Sequence, residues 1–507
     1  MSRTENAIKN AGFGLLCKML IMAFSFVSRT AFIHVLGSTY LGINGLFTEV
    51  LSLLSFAELG FGSAMTFSMY KPVIDNDRER IIKLLNFYKK VYRIIAAVIA
   101  SLGLCMVPFI NYIVKGADWL SVSSLQLYFL IFLFNTVVGY FVTYKYTYIN
   151  ALQKNYITTN IDTVVTISSN IAQIIVIFVS KNFLLYLLVN SAILLVSRVF
   201  IAVYLNKKFP ILKEKAPVPL SIEEKAPIFN EVKGLALHQF ASAAVHSTDN
   251  LIISSMISVV TVGLISNYNM LINSVLGFVV ILFNSVTAGF GNLAAESNTK
   301  NYLKVFKEVN FANFWIYGFC CVAFWILVPP FITLWIGADK LIDNISFSLI
   351  IINIYLQGQC TAYYNARIAK GNFNKDKWWA VAQAIVNLVV SVIGAKSFGL
   401  VGVYIGTIAS RMIYVLFRPY STYEFLFEDK VMTYYKRFSQ YFIEVVLAAL
   451  VTKLMTNIVL CEVTVASFVI SLIIVLIVPN VVFFACNIKS QEFIMWKNRI
   501  KRMRIAE

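Results

Sequence analysis

The chain has 507 residues, of which 59% are hydrophobic and only 13% charged, with a formal net charge of +18. Soluble globular chains carry about 25% charged residues, and a water-soluble fold of this length has no room to hide so much apolar surface. In lipid the backbone must satisfy its own hydrogen bonds, which leaves helices or a closed barrel, and long apolar runs without strand alternation select helices. The positive balance does not indicate nucleic acid, because there is no basic soluble domain to bind it.

In chain order the runs predict about fourteen membrane spans, at 12–35, 43–69, 92–113, 122–143, 159–180, 183–205, 234–257, 260–285, 308–334, 345–368, 378–396, 399–420, 438–460 and 463–486. Each is long enough for a hydrocarbon core of about 30 Å. The first run closes on His34-Val-Leu-Gly37 without a small-residue cleavage site, so it reads as a retained helix. Lysine and arginine alternate across the loops. Lys71, Arg78, Arg80, Lys83, Lys89, Lys90, Arg93, Lys145, Lys154, Lys207, Lys208, Lys213 and Lys215 fall on one side, with the tail from Lys489 to Arg504, while Lys115, Lys181, Lys340 and Lys396 stand alone on the other. That bias predicts cytoplasmic termini at both ends. The basic and apolar stretches 80–90 and 492–504 are amphipathic and expected to lie at the inner interface. The seven cysteines sit nearly all inside apolar runs with no CxxC pair, and the three histidines have no ligand spacing. No disulfide framework, metal site or cofactor is expected.

The chain repeats itself. Pro108-Phe-Ile with Gly116-Ala-Asp118 returns as Pro330-Phe-Ile with Gly337-Ala-Asp339, Asn150-Ala151 as Asn365-Ala366, Lys181 as Lys396, and Leu41-Gly42 as Val262-Gly263. A shared offset across six spans predicts two parallel six-helix halves. The expected organisation is an N-terminal lobe at 1–205, a polar proline-rich linker at 206–233, a second lobe at 234–420, and a terminal hairpin with a basic tail at 421–507. Two parallel repeats suit alternating access, with substrate held between rocking halves.

Leu36-Gly-x-x-Tyr-Leu-Gly-Ile-Asn-Gly-Leu-Phe, continuing to Glu58-Leu-Gly-Phe-Gly and Tyr70-Lys-Pro, resembles the first two helices of bacterial polysaccharide-export flippases of the Wzx type. Tyr364-Asn-Ala-Arg-Ile-Ala-Lys-Gly-Asn and Gly399-Leu-Val-Gly-Val-Tyr-Ile-Gly-Thr extend that resemblance over nearly the whole chain. Those motifs are mainly glycine and small-residue patterns, specific for the superfamily and less so for the cargo. The superfamily also holds multidrug and toxin extrusion antiporters and the peptidoglycan lipid-precursor flippase. The resemblance implies an undecaprenyl-diphosphate-linked oligosaccharide as cargo, carried from the inner to the outer leaflet.

Ions placed inside spans cost about 2.5–3.5 kcal/mol or more, so each is a candidate for function. Lys18 and Arg29 are eleven residues apart and share a face of the first helix; His238 and Asp249 repeat that spacing on the seventh. Arg29, Lys18, Arg198 and Arg411 are the expected partners of a diphosphate, arginine for its two-pronged fork. For Lys18 the competing reading is snorkelling to the inner interface. Asp249, Glu58, His238 and His246 are the expected coupling or cavity groups, with Glu58 preferred to Glu49 because it carries the family pattern. Asp162, Thr166, Ser169 and Gln173 form a stripe on the fifth helix, joined by Asn273 on the eighth and by Gln383 and Asn387 on the eleventh. These polar groups suit sugar hydroxyls or interhelical hydrogen bonds equally.

Three functions compete. The cationic first helix favours an anionic cargo, whereas an antiporter of organic cations wants acidic and aromatic walls. A membrane enzyme needs a sizeable loop or a convergent acid–base set outside the bilayer, and neither is present, so no catalytic residue is expected. The expected partners are the lipid-linked oligosaccharide, membrane lipids, an H⁺ or Na⁺ coupling ion, and a polysaccharide polymerase or glycosyltransferase.

Overall fold

The computed structural model describes residues 3–58, 61–295, 299–370 and 377–506, with side chains described throughout these except at 3–13, 15, 56–57, 63, 231, 233–246, 282, 284–295, 368, 377 and 499–506. Every element among the described residues is helical. They are α1 (Arg3–Leu54), α2 (Phe61–Ile74), α3 (Arg78–Met106), the short α4 (Ile110–Ile113), α5 (Val122–Ala151), α6 (Asn155–Ser180), α7 (Phe183–Lys208), α8 (Ile222–Ile252), α9 (Val259–Ala295), α10 (Thr299–Ile336), α11 (Asn344–Gln359), α12 (Thr361–Ala369), α13 (Lys377–Phe427), α14 (Val431–Val459), α15 (Val465–Asn487) and α16 (Gln491–Ala506). Among the described residues eleven helices are long and apolar enough to cross a membrane. The chain is an all-α, multi-pass membrane protein.

Two of those eleven reverse direction within a single helical run. Gly37 (φ 82°) and Gly399 (φ 56°) break α1 and α13 at dihedrals that only glycine adopts without strain. In α13, Asn387 donates to Thr407 at 3.5 Å and Ser391 to the Val403 carbonyl at 3.1 Å. In a straight helix, residues twenty apart would stand about 30 Å apart, so the two arms are antiparallel. In α1, Cys17 and Ser25 meet Asn160 and Asn170 in order, so the first arm runs with α6. The second arm places Tyr40 on Tyr128 and Phe47 on Phe132, so it runs with α5. Since α5 and α6 are themselves antiparallel, Gly37 is a hairpin turn. The α13 run covers the expected spans 378–396 and 399–420; α1 covers 12–35 but only 43–54 of the expected 43–69, which breaks at the turn Ser55–Glu58 and resumes as α2.

The chain divides into two compact units, residues 1–263 and 264–507. Unit 1 is centred on α1 against α6, with α5 and α7 alongside. Its aromatic core joins Phe32, Tyr40, Tyr128, Phe183 and Tyr186, at 4.5 Å between Tyr40 and Phe183 and 5.1 Å between Phe32 and Tyr186. The basic stretch 80–90 differs from expectation. It is the first three turns of α3, and its apolar face is covered by protein: Ile81, Leu84 and Leu85 are buried. The linker and the start of α8 lie against that end. Arg78 bonds Glu214 at 2.6 Å, Arg80 bonds Glu224 at 3.1 Å, and Phe229 packs on Phe61 and Phe87.

Helix α8 begins with a capping box: Ser221 accepts from Glu224 N–H at 3.1 Å, and Glu224 accepts from Ser221 N–H at 2.9 Å. The Ser221 amide holds the Glu224 carboxyl below the usual carboxylate range, with Arg80 adding to the effect. Ser221→Ala is expected to destabilise unit 1 by about 1 kcal/mol, read as a lower thermal midpoint in detergent. An unchanged midpoint would mean that the linker contacts alone hold the start of α8.

In unit 2, α10 runs through the centre, against α11, α14, α15 and α16. Tyr302, Phe306, Tyr363, Tyr423, Phe427 and Tyr434 form its buried aromatic cluster. The α14–α15 hairpin carries a polar pin: the Asn487 amide donates to Glu444 at 2.5 Å, and Gln440 donates to the other carboxylate oxygen at 2.8 Å. Arg437 reaches Glu492 at 2.8 Å, which ties the amphipathic α16 to α14, and Trp496 stacks on Trp315.

Candidate functional site

Polar side chains from four elements of unit 1 converge on a cavity of about 380 Å³. Helix α5 supplies Thr136, Tyr140, Thr143 and Tyr146, α6 supplies Asp162 and Thr166, α7 supplies Arg198, and the turn after α1 (Ser55–Glu58) supplies Glu58. The helical period explains this. Asp162 and Thr166 are one turn apart on α6, and Thr136, Tyr140, Thr143 and Tyr146 follow at spacings of three and four along α5, so each set lines one face. The Tyr146 hydroxyl donates to Asp162 at 2.9 Å, and Arg198 stands 3.7 Å from the same carboxylate oxygen. That second distance is an ion pair too long for a hydrogen bond. With side chains 27% and 45% exposed, Arg198 and Asp162 still face open space. Glu58 lies beside the hydroxyls of Tyr140 and Tyr92.

Four of the residues singled out in the sequence thus meet: Glu58, Asp162, Thr166 and Arg198. Ser169 and Gln173 lie on the same helix but are buried outside the lining of this cavity. Arg29 and Lys18 are half-buried on α1, and Arg29 faces the Tyr186 hydroxyl of α7. Asp249 is half-buried on α8. The side chains of His238 and His246 lie outside the described residues.

In unit 2, Arg411 is buried on α13. Its Nε donates to Asn353 at 3.1 Å and a terminal nitrogen donates to Gln357 at 3.4 Å, both on α11. Gln383 and Asn387 are buried on α13, where Asn387 bonds the opposite arm of the hairpin. Asn273 is exposed on α9. No group of three metal-ligating side chains occurs among the described residues.

The α5 contribution was missed in the sequence. Its signal is a run of hydroxyls, Thr136, Tyr140, Thr143 and Tyr146, on one helical face of a span whose apolar residues dominate any hydropathy average.

No family model matches the chain, and no curated protein matches it by sequence. Solved structures do match. The lipid II flippase MurJ, in an inward closed conformation, superposes with a TM-score of 0.65 at 14% identity over 94% of this chain and 98% of that one. An inward-facing multidrug resistance MATE family transporter of the MOP superfamily gives 0.60 at 15% identity, over 80% and 97%. The Vibrio cholerae MATE transporter VcmN, in its bent form, gives 0.53 at 14% identity, over 84% and 98%. The fold of this chain is the one shared by these membrane transporters.

Proposed function

We propose that the protein is a flippase that carries undecaprenyl-diphosphate-linked oligosaccharide from the inner to the outer leaflet of a bacterial inner membrane, with both termini cytoplasmic. The observation that carries this reading is cationic: Arg29 sits half-buried in the membrane-crossing helix α1. A guanidinium group held at that depth suits a diphosphate, which neutralises it and accepts from both prongs of the fork. The likeness over 94% of the chain to a fold used by a lipid II flippase adds support.

The unit 1 cavity has a separate role in this reading. At about 380 Å³ it stands at the low end of the range for small-ligand sites, and its two carboxylates suit a hydrated cation. Asp162 and Glu58, with Tyr146 and Tyr140 beside them, are the coupling groups, and Arg198 competes with H⁺ or Na⁺ for Asp162.

Two carboxylates among tyrosines also favour a second reading, a cation-coupled antiporter of organic cations. One experiment separates the two. Purified protein in liposomes is given a fluorescent undecaprenyl-diphosphate oligosaccharide or a cationic dye, with and without a pH gradient. Wild type is expected to move the lipid, and Arg29→Ala to lose between about tenfold and a hundredfold in rate with its thermal midpoint unchanged. Dye efflux without lipid movement would replace the flippase by the antiporter.

A further inference from the structure

We infer that the basic end of unit 1 carries a second anion site, a receptor for the phosphate group of a membrane lipid, with Lys145 at its floor and Lys89, Arg93, Lys213 and Lys215 at its rim. The inference does not depend on the transport reading, since it concerns binding alone.

Lys145 lies on α5 and is 3% exposed. Two of its three N–H groups are engaged, by the Ala202 carbonyl at 3.0 Å and the Asn206 amide oxygen at 2.9 Å, both on α7. Those are neutral acceptors, so they orient the ammonium without cancelling its charge. Its charged neighbours are cations. The Glu214 carbonyl accepts from Asn86 of α3 at 3.0 Å, so Lys213 and Lys215 flank that contact and Lys89 follows it by one turn on α3; the charges of Lys89 and Lys213 act on Lys145, and those of Arg93 and Lys215 on Lys89. Among the described residues, no carboxylate is among the charges that act on either lysine. Arg93, Lys213 and Lys215 are exposed and Lys89 is half-buried, so the rim itself is open to a ligand.

The linker is held there by its own packing. Phe209 meets the Tyr148 ring edge-on at 6.1 Å, and Leu212 and Leu220 are buried. The one acid of the segment 206–221, Glu214, points away to Arg78 at 2.6 Å, while its carbonyl accepts from Asn86 at 3.0 Å. Three elements therefore bring five like charges together, and the linker's own carboxylate is turned away to Arg78. Such a cluster repels itself until an anion occupies it, and the anion that best matches a ring of lysines and an arginine is a phosphate, with its −1 to −2 charge and several acceptor oxygens. The rim lies near the linker-facing ends of α5 and α7 and beside α3 about three to four turns in, on helices long and apolar enough to cross a membrane, so the phosphate is a lipid's.

The test uses the purified full-length chain in neutral detergent, with three probes: undecaprenyl diphosphate, phosphatidylglycerol and the zwitterionic phosphatidylcholine. Binding is followed by native mass spectrometry for wild type, a Lys213→Gln/Lys215→Gln double variant and a Lys89→Gln/Arg93→Gln double variant. These rim changes leave the Lys145 bonds to α7 intact, so loss of the fold does not confuse the result. Anionic lipid is expected to bind wild type at least about tenfold more tightly than either variant, and to weaken with salt more steeply in wild type. Preference for undecaprenyl diphosphate assigns the site to a carrier lipid; equal affinity for phosphatidylglycerol assigns it to bulk anionic lipid. Equal binding of phosphatidylcholine, or unchanged affinity in both variants, would overturn the inference.

Discussion

Gly402→Leu is expected to abolish the folded protein, read as loss of the monodisperse peak in size exclusion after detergent extraction. The two arms of α13 touch backbone to backbone where Gly402 and Gly394 cross. A Cβ built on Gly402 would land on the Gly394 carbonyl, and one built on Gly406 would land on Ser391. Overpacking against movable side chains costs about 1–3 kcal/mol, but here the obstacle is main chain that cannot rotate away. The arms would have to part, and the Asn387–Thr407 and Ser391–Val403 bonds that pin them would go with the contact. Gly402→Ala tests the same contact with the smallest possible side chain and is expected to lower the thermal midpoint clearly. Gly139→Ala is the control: nothing lies within 4 Å of a Cβ there, so in the middle of α5 it should leave the midpoint unchanged or raise it, by up to about 1 kcal/mol of stability. A normal midpoint for Gly402→Leu would mean that the arms are not packed as described.

The architecture was legible because lipid enforces it. Hydrocarbon requires long apolar runs, and the loops carry the charge, so span positions and basic ends stand out without any tertiary information. The turns at Gly37 and Gly399 fall where the expected spans change over, yet each hairpin reads as one helical run, because a single left-handed glycine reverses the chain without a loop. Sites were less legible. Charge in a span is conspicuous, so Asp162, Arg198 and Glu58 could be singled out one by one. That Asp162 and Arg198 face each other depends on the rotation of α6 against α7, which no sequence period encodes. The stripe that begins at Asp162 extends eleven residues, about 16 Å of helix, and only its first turn reaches the cavity; Ser169 and Gln173 are consumed by packing. Tyr140 and Tyr146 show the converse, since an aromatic residue on an apolar helix gives no sign that its hydroxyl meets a carboxylate. The stretch 80–90 looked interfacial because its partner surface, the linker and α8, is distant in sequence.

The second large effect should come from the Asp162–Arg198 pair, with a separation between function and stability. At 3.7 Å, with both side chains partly exposed, the pair contributes about 0–1 kcal/mol to the fold. Asp162→Asn keeps the shape and the acceptor for Tyr146, so the thermal midpoint should hardly move. Transport in liposomes is different. If Asp162 alternates between Arg198 and a coupling ion, the amide removes the alternation, and the rate under an ion gradient should fall between about fivefold and a hundredfold. Arg198→Gln removes the competitor and leaves the carboxylate, so the ion is held too firmly or the cavity stays charged; transport falls again. The double variant Asp162→Asn/Arg198→Gln restores neutrality and should fold as well as wild type, yet it should not regain gradient dependence. A merely structural ion pair predicts the reverse pattern, with single variants unstable and the double variant fully active. That outcome would remove the coupling role from this cavity and leave the half-buried Asp249 of α8 as the acid to test next.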